Sequence, residues 1–168
     1  MRAVVLVGGE GTRLRPLTYT VPKQMQPIAL LPMIERVADQ LVKGGAEEIV
    51  FSLGYKPDVF VEAFPDGRWR GASIHFAIEP PTLLDTAGAI GFAARSAGID
   101  ETFVAVNGDV LTDIDISGLM KFHQEHKGAA TIALTPVDDP SAFGVVPTDA
   151  NGKVERFIEK PAPGTAPT

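Results

Sequence analysis

The sequence predicts an α/β fold in which a mainly parallel, mixed sheet lies between two layers of helices. Apolar runs of strand length alternate along the chain with segments whose apolar residues recur at helical spacing. Several of the 17 glycines and 14 prolines stand where these segments end, which predicts short connections. The chain has 168 residues, 45% hydrophobic and 21% charged, as is ordinary for one soluble domain.

The first half of the chain contains three predicted strands and two predicted helices. Residues 3–7 form a continuous apolar run that ends in glycines, as expected for a strand buried on both faces. Apolar residues then recur at i, i+3, i+4, i+7 and i+8 across residues 34–42, the spacing of one helical face. Residues 48–53 and the alternating residues 74–78 predict two further strands. A short helix between them ends at the Pro-Asp-Gly turn of residues 65–67.

The second half continues the alternation. The alanine-rich residues 85–97 predict a helix, with Asp85 or Thr86 placed to cap its first turn. The later predicted elements are a strand at 103–106, a helix at 116–123 and strands at 130–134, 144–146 and 154–158. Since parallel strands are joined through helices on the sheet faces, the order predicts a Rossmann-like, three-layer αβα fold.

Charge and residue usage exclude several classes of function. Asp and Glu number 21 against 15 Lys and Arg, and the formal charge of -6 argues against a nucleic-acid-binding face. The absence of cysteine excludes disulfides, thiolate nucleophiles and Cys-ligated zinc. The amino-terminal apolar run is too short for a signal peptide, and no segment reaches the roughly 20 apolar residues of a membrane span. We therefore expect a cytoplasmic protein with neither nucleic acid nor membrane as a partner.

A glycine-rich segment with basic residues follows the first predicted strand at residues 8–18, GGEGTRLRPLT. Three glycines within four residues let the backbone turn tightly and present N–H groups to an anion. The side chains suited to phosphate oxygens are Thr12, Arg13, Arg15 and Lys23. A P-loop or a dinucleotide fingerprint does not fit, because there is no Gly-Lys pair and Leu14 replaces the third glycine. Arg13, Arg15 and Lys23 place three cations beside a glycine turn in an otherwise acidic chain, which indicates a polyphosphate site. The alternative is a glycine-rich turn whose arginines are merely solvated.

Polar residues also stand at the ends of later predicted strands. Glu79 follows the third strand and Asn107-Gly108-Asp109 follows the fourth. In open α/β sheets, ligands bind outside the carboxyl ends of the strands. Asp109 would place a carboxylate there, where Mg²⁺ can join it to phosphate oxygens, although an Asp after Asn-Gly is by itself an ordinary turn residue. The sequence therefore predicts a ligand site along this edge.

These motifs resemble the signature of sugar-phosphate nucleotidyltransferases, also called nucleotide-sugar pyrophosphorylases. The resemblance begins with residues 8–18 and continues in PKxxxP at residues 22–27. The remaining matches follow in the family's order at residues 32–35, 85–90, 107–109, 143–145 and 159–161. The chain looks most like the mannose-1-phosphate guanylyltransferase-like branch, through residues 142–149. The resemblance implies one nucleotidyltransferase domain over residues 1–168, truncated at its C terminus relative to the family.

The resemblance implies Mg²⁺-dependent transfer of a nucleotidyl group from a nucleoside triphosphate to a sugar 1-phosphate, with GTP and mannose 1-phosphate favoured. The sugar phosphate oxygen attacks the α-phosphorus in line, so no protein nucleophile is needed. Thymidylyl or uridylyl transfer to glucose 1-phosphate is the nearest alternative, and a non-catalytic nucleotide-binding regulatory module is another. Because a sheet that ends early exposes an edge, we also expect the chain either to self-associate into a homo-oligomer or to be marginally stable.

The resemblance assigns roles to individual residues. The nucleotide would be held by Gly8, Gly9, Gly11, Thr12, Arg13, Glu79, Thr86, Ala87 and Gly88. The catalytic residues would be Arg13, Lys23 and Asp109, with Asp109 as the metal ligand. The sugar phosphate would be held by Gly144, Glu159 and Lys160, although Glu159 and Lys160 also suit an exposed charged pair. The sequence departs from the family at Asp85, where a glycine is usual, at Gln24, and at Leu30-Leu31. The family's second metal aspartate has no match here.

Overall fold

The computed structural model describes residues 1–82 and 84–164 and contains two compact units, Met1–Phe122 and His123–Thr168. The strands are β1 (Arg2–Leu6), β2 (Pro27–Ile28), β3 (Leu31–Pro32), β4 (Glu48–Leu53), β5 (Arg68–Trp69), β6 (Ala72–Ile78), β7 (Val104–Asn107), β8 (Gly144–Val145) and β9 (Ile158–Glu159). The helices are α1 (Met33–Lys43), α2 (Pro57–Ala63), α3 (Asp85–Ser96) and α4 (Ile116–His126). In the described ranges, every helix is too short or too polar to cross a membrane.

The first unit is built on a five-stranded sheet in the order β5-β6-β4-β1-β7. Strands β6, β4, β1 and β7 are mutually parallel, and β5 pairs antiparallel with β6 at one edge. In register, Val4 of β1 lies beside Val50 of β4 and Ala105 of β7. The predicted mainly parallel, mixed sheet is therefore confirmed.

Helices cover both faces of this sheet because successive strand residues point to opposite sides. On one face, Phe51 packs in a cluster with Ile34 of α1 and Phe60 of α2, all fully buried. On the other face, Val50 packs with Ala93 of α3. Buried apolar side chains on both faces explain why the central strands read as continuous apolar runs. The three-layer αβα arrangement follows.

The second unit contains less regular pairing. Strands β8 and β9 pair antiparallel, and Thr148 forms an isolated bridge with Val154. The predicted strand at residues 130–134 is wrong, since among the described residues this segment has no hydrogen-bonded partner strand. A mostly apolar segment does not by itself make a strand, because the N–H and C=O groups of a strand need a neighbour. Ile132 and Leu134 are consequently about half exposed.

Candidate functional site

The glycine-rich segment turns sharply after β1 and is closed by its own side chains. Gly11 has φ 64°, in the left-handed region that favours glycine, and precedes the single helical turn Thr12–Leu14. A Cβ on Gly11 would lie 3.1 Å from side-chain carbons of both Lys23 and Thr18. The buried Thr18 hydroxyl donates to the Gly11 carbonyl at 2.8 Å. Residues 11–18 therefore form a closed loop, which we call the phosphate loop.

The start of this segment packs against the end of the neighbouring strand. A Cβ on Gly54, just after β4, would lie 2.9 Å from the carbonyl oxygen of Gly8. A Cβ on Gly8 would in turn lie 3.1 Å from Oε1 of Glu79. Because parallel strands β1, β4 and β6 end at the same edge, these three residues meet although they are distant in sequence. Any side chain larger than hydrogen at Gly54 would displace the backbone of Gly8.

The two arginines of the phosphate loop differ in their contacts. Arg15 pairs with Glu10, with Nη2 3.0 Å from Oε2, and its guanidinium carbon lies 5.4 Å from the centre of the Tyr19 ring. Arg13 is exposed, and within residues 1–82 and 84–164 it makes neither a hydrogen bond nor an ion pair. The Arg13 guanidinium is therefore the one available to an anion, while Arg15 is held by the protein.

Lys23 and Asp109 form an ion pair across 86 residues of sequence, with Nζ donating to Oδ2. Lys23 begins a helical turn that follows the phosphate loop, and Asp109 follows β7 through Gly108. Gly108 is required here, because a Cβ would lie 2.5 Å from Cγ1 of Val7. The backbone of Gly108 donates to Leu6 at 2.9 Å, which fixes Asp109 beside the end of β1. The structure thus brings a cation and a carboxylate together next to the phosphate loop.

The residues at this edge fit a magnesium ion that is shared with a phosphate group. Mg²⁺ usually takes one or two protein carboxylates and completes its shell with water and substrate phosphates. Asp109 supplies a partly exposed carboxylate beside the phosphate loop. In the part of the chain that the structure describes, no cluster of three or more His, Asp or Glu could hold a metal unaided. Any ion here would depend on the phosphates for its remaining ligands.

Ser52 is a site residue that the sequence analysis missed. It lies fully buried at the end of β4, and its hydroxyl donates to Oε1 of Glu79 at 2.8 Å. The backbone N–H of Glu79 donates to the carbonyl of Leu53 at 2.8 Å. Glu79 is thereby held through both its backbone and its side chain. A single polar residue inside the apolar run 48–53 was the available signal, but its partner lies 27 residues away.

The predicted N-cap of helix α3 is wrong. Leu84 occupies the cap position without a side-chain hydrogen bond, so neither Asp85 nor Thr86 caps the helix. Asp85 has φ 51°, outside the extended region that a capping residue adopts, and at a position where glycine would be unstrained. Thr86, Ala87 and Gly88 form the first turn, whose backbone N–H groups lack helical partners. The departure from the family's glycine therefore falls on a left-handed backbone position.

The three remaining predicted residues lie together in the second unit. Gly144 of β8 pairs with Glu159 of β9, and a Cβ on Gly144 would lie 3.3 Å from Oε2 of Glu159. Lys160 donates its backbone N–H to Phe143 at 3.0 Å, and its Nζ lies 3.8 Å from Oε1 of Glu159. Both charged side chains are about 70% exposed. Strand pairing explains why these residues are neighbours.

Comparison with known proteins identifies the class to which the chain belongs. Residues 2–168 match the family model described as Nucleotidyl transferase. The chain is therefore a member of the nucleotidyl transferase family, and the resemblance predicted from its motifs is confirmed.

Two curated relatives show which members of this family the chain resembles. The chain is 42% identical over 158 residues to the mannose-1-phosphate guanylyltransferase of Mycobacterium tuberculosis, covering 94% of this chain and 44% of that protein. It is 39% identical over 165 residues to the mannose-1-phosphate guanyltransferase of Aspergillus oryzae, covering 96% of this chain and 45% of that protein. The chain thus spans less than half the length of these curated relatives.

Two solved structures share the fold. HddC from Yersinia pseudotuberculosis, complexed with GMP-PN, has a TM-score of 0.75 and 29% identity, covering 96% of this chain and 70% of that one. A Bacillus anthracis protein described as a candidate glucose-1-phosphate thymidylyltransferase, solved with sucrose, has a TM-score of 0.80 and 28% identity, covering 96% and 65%. The predicted α/β fold class is confirmed by these neighbours.

Proposed function

We propose that this chain, or the longer protein of which it is part, transfers a guanylyl group from GTP to mannose 1-phosphate and releases pyrophosphate. The observation that carries the proposal is the pairing of Lys23 with Asp109 beside the phosphate loop. The ammonium of Lys23, the carboxylate of Asp109 and the available guanidinium of Arg13 are groups that suit phosphate transfer. The similarity to two proteins named for guanylyl transfer to mannose 1-phosphate supports the choice of substrates.

The proposed chemistry depends on alignment and charge neutralisation. Backbone N–H groups of Gly8, Gly9 and Gly11, with the Thr12 hydroxyl, would hold the triphosphate, and Arg13 would bind its oxygens. Lys23 would neutralise the α-phosphoryl group while the sugar phosphate oxygen attacks in line. Losing one such donor costs about 2.7–4 kcal/mol of transition-state stabilisation in other enzymes. Asp109 would hold Mg²⁺, which when bound supplies additional neutralisation of phosphate charge.

The Glu79 carboxylate supports guanine as the base. An ionised carboxylate offers acceptors only, and guanine presents two adjacent donors, N1–H and N2–H, that can meet both oxygens. Thymine and uracil place a single N–H between two carbonyl oxygens, which a carboxylate would repel. The hydrogen bond from Ser52 holds Glu79 in place at 2.8 Å. Thr86, Ala87 and Gly88, in the first turn of α3, would complete the nucleotide side with unpaired backbone N–H groups.

The sugar phosphate would be bound by residues of the second unit. The Lys160 ammonium would neutralise its phosphate, the Glu159 carboxylate would accept hydrogen bonds from sugar hydroxyls, and Gly144 would offer its backbone N–H. The pairing of Gly144 in β8 with Glu159 in β9, and the ion pair of Glu159 with Lys160 just after β9, support this grouping. A cytoplasmic location, self-association and C-terminal truncation stay predictions.

One other function has an observation in its favour. Thymidylyl or uridylyl transfer to glucose 1-phosphate is supported by the fold shared with the Bacillus anthracis protein. A nucleotide-binding module without turnover is the remaining alternative from the sequence analysis.

Pyrophosphate release measured with four triphosphates and two sugar 1-phosphates distinguishes these functions. We expect release with GTP and mannose 1-phosphate, its loss in Lys23→Ala, and no change in Lys43→Ala, an exposed lysine at the end of α1. Triphosphate binding without turnover would favour the module, and turnover with dTTP or UTP and glucose 1-phosphate would favour the second enzyme. Full activity of Lys23→Ala would refute the assigned mechanism.

A further inference from the structure

We propose that Tyr55 and Lys56, which follow β4, form a clamp that positions the phosphate loop for its ligand. The Lys56 ammonium donates to the carbonyl oxygens of Tyr19 at 2.6 Å and Thr20 at 3.0 Å. The Tyr55 hydroxyl lies 3.4 Å from the carbonyl oxygen of Thr18. Two consecutive residues thus bind the carbonyl of the last loop residue, Thr18, and the two carbonyls that follow it. The functional consequence rests on the proposed binding of a triphosphate by this loop.

The clamp is connected to the centre of the loop through Thr18. The hydroxyl of Thr18, which is 1% exposed, donates to the carbonyl of Gly11 at 2.8 Å. Gly11 begins the turn that carries Arg13, and the N–H of Leu14 donates back to Gly11 at 2.9 Å. Fixing the carbonyls of residues 18–20 therefore fixes the turn from which the available guanidinium extends. Gly54, the residue before the clamp, packs against Gly8 at the other end of the segment.

Lys56 is suited to hold the loop rather than to bind the phosphates directly. An ammonium has three hydrogens, and two of them are donated to carbonyls of the protein. Its nitrogen also lies 5.3 Å from the centre of the Tyr55 ring, a cation–π distance. We therefore regard Lys56 as a positioning residue, in contrast to Arg13.

The backbone of Lys56 adds an independent observation. Lys56 has φ 48°, a left-handed conformation that a side chain of this kind rarely adopts, directly before Pro57 at the start of α2. Such a conformation persists where the surrounding structure over-determines it, and it is concentrated in clamps and functional sites. Left-handed backbone here turns the chain from β4 into α2 so that residues 55 and 56 face residues 18–20.

Hydrogen–deuterium exchange of the ligand-free, 168-residue chain tests the clamp without relying on catalysis. In Lys56→Met we expect the hydrogen-bonded amides within residues 12–20, those of Leu14, Arg15, Leu17 and Tyr19, to exchange about tenfold faster. A tenfold change corresponds to the loss of about one hydrogen bond from a charged donor. Lys56→Arg should restore most of the protection, and Lys43→Met should leave it unchanged. Binding of GTP, titrated with a fluorescent analogue, should weaken about tenfold in Lys56→Met and recover in Lys56→Arg.

Each outcome decides one of the two proposals. Unchanged exchange of residues 12–20 in a folded Lys56→Met chain would overturn the clamp, whatever the protein binds. A wild-type chain that binds no triphosphate would overturn the proposed function, while the exchange measurement would still decide the clamp. If circular dichroism shows that Lys56→Met does not fold, Tyr55→Phe removes a single hydroxyl and should raise the exchange of the same amides by a smaller factor.

Discussion

The two groups of proposed ligand-binding residues are held in very different ways. The group in the first unit is fixed by buried or interlocking contacts: Ser52 on Glu79, Gly54 against Gly8, and Lys23 on Asp109. The group in the second unit is joined by a two-residue ladder and an exposed ion pair between Glu159 and Lys160. Preorganised groups stabilise a transition state most, because they are not reoriented during the reaction. The Lys23 and Glu79 side chains, proposed to act on the nucleotide, are therefore already held by buried or interlocking contacts, whereas those proposed to bind the sugar phosphate have only exposed side-chain contacts.

The largest expected effect comes from removing the paired ammonium. Lys23→Met should lower kcat by about 100- to 1000-fold, the cost of one preorganised charge donor, while leaving the fold intact. Stopped-flow or steady-state pyrophosphate release measures this change. Lys160→Met, which removes the same charge from the second unit, is the matched control and should affect the KM for the sugar phosphate more than kcat. Equal losses of kcat in both variants would contradict the proposed difference between the two units, in which only the lysine of the first unit acts in the chemical step.

The second-largest effect is expected from a steric change in the first unit. Gly54→Ala places a methyl group 2.9 Å from the Gly8 carbonyl oxygen, so it should lower the free energy of unfolding by about 1–3 kcal/mol, as overpacking does. Gly9→Ala is the control, because the nearest described atom to a Cβ there is Cε of Lys23, at 4.0 Å. Urea denaturation of both variants tests the difference. A Gly54→Ala chain as stable as the wild type would show that the close approach is easily relieved.

Loss of the buried hydroxyl should have a moderate effect on base selection. Ser52→Ala leaves Glu79 without its side-chain donor, and we expect kcat/KM for GTP to fall about tenfold relative to dTTP. Ser73→Ala serves as the control, because Ser73 lies in the same sheet and its hydroxyl donates to the backbone carbonyl of Glu47, away from Glu79. An unchanged preference would mean that Ser52 contributes to packing alone.

The smallest effect is expected from acidification of the second unit. Backbone hydrogen bonds from Lys153 and then Asn151 hold the pKa of Asp149 below its usual value of 3.8. Because the pKa is lower in the folded chain, Asp149 stabilises its turn above about pH 3.8, and the contribution is lost as pH falls through the folded value. The amide signals of Asn151 and Lys153, followed by NMR between pH 5 and 2, should shift together. Asp149→Asn should abolish this dependence.

Part of the candidate site could be predicted from the sequence because the residues involved lie close together along the chain. The glycines of residues 8–11, Arg13 and Lys23 stand close together along the chain, and their types already predict an anion-binding turn. The fold was equally accessible, since residues 48–53 are predicted and observed as a strand with the same limits, β4. Helix α1, Met33–Lys43, agrees with the spacing at 34–42 to within one residue.

Residue types at regular spacing therefore determined the elements, the sheet class and the family, since these depend on hydrophobic periodicity and on short motifs. Long-range packing settled the rest. It matched Ser52 with Glu79 and Lys56 with residues 18–20, and it left residues 130–134 without a partner strand. The spacing of hydrophobic residues along the chain does not indicate which distant residue will supply a hydrogen-bond partner. Hydrogen-bond partners such as Ser52 and Glu79 become neighbours only in the folded sheet, where several parallel strands end at the same edge and bring their loops together.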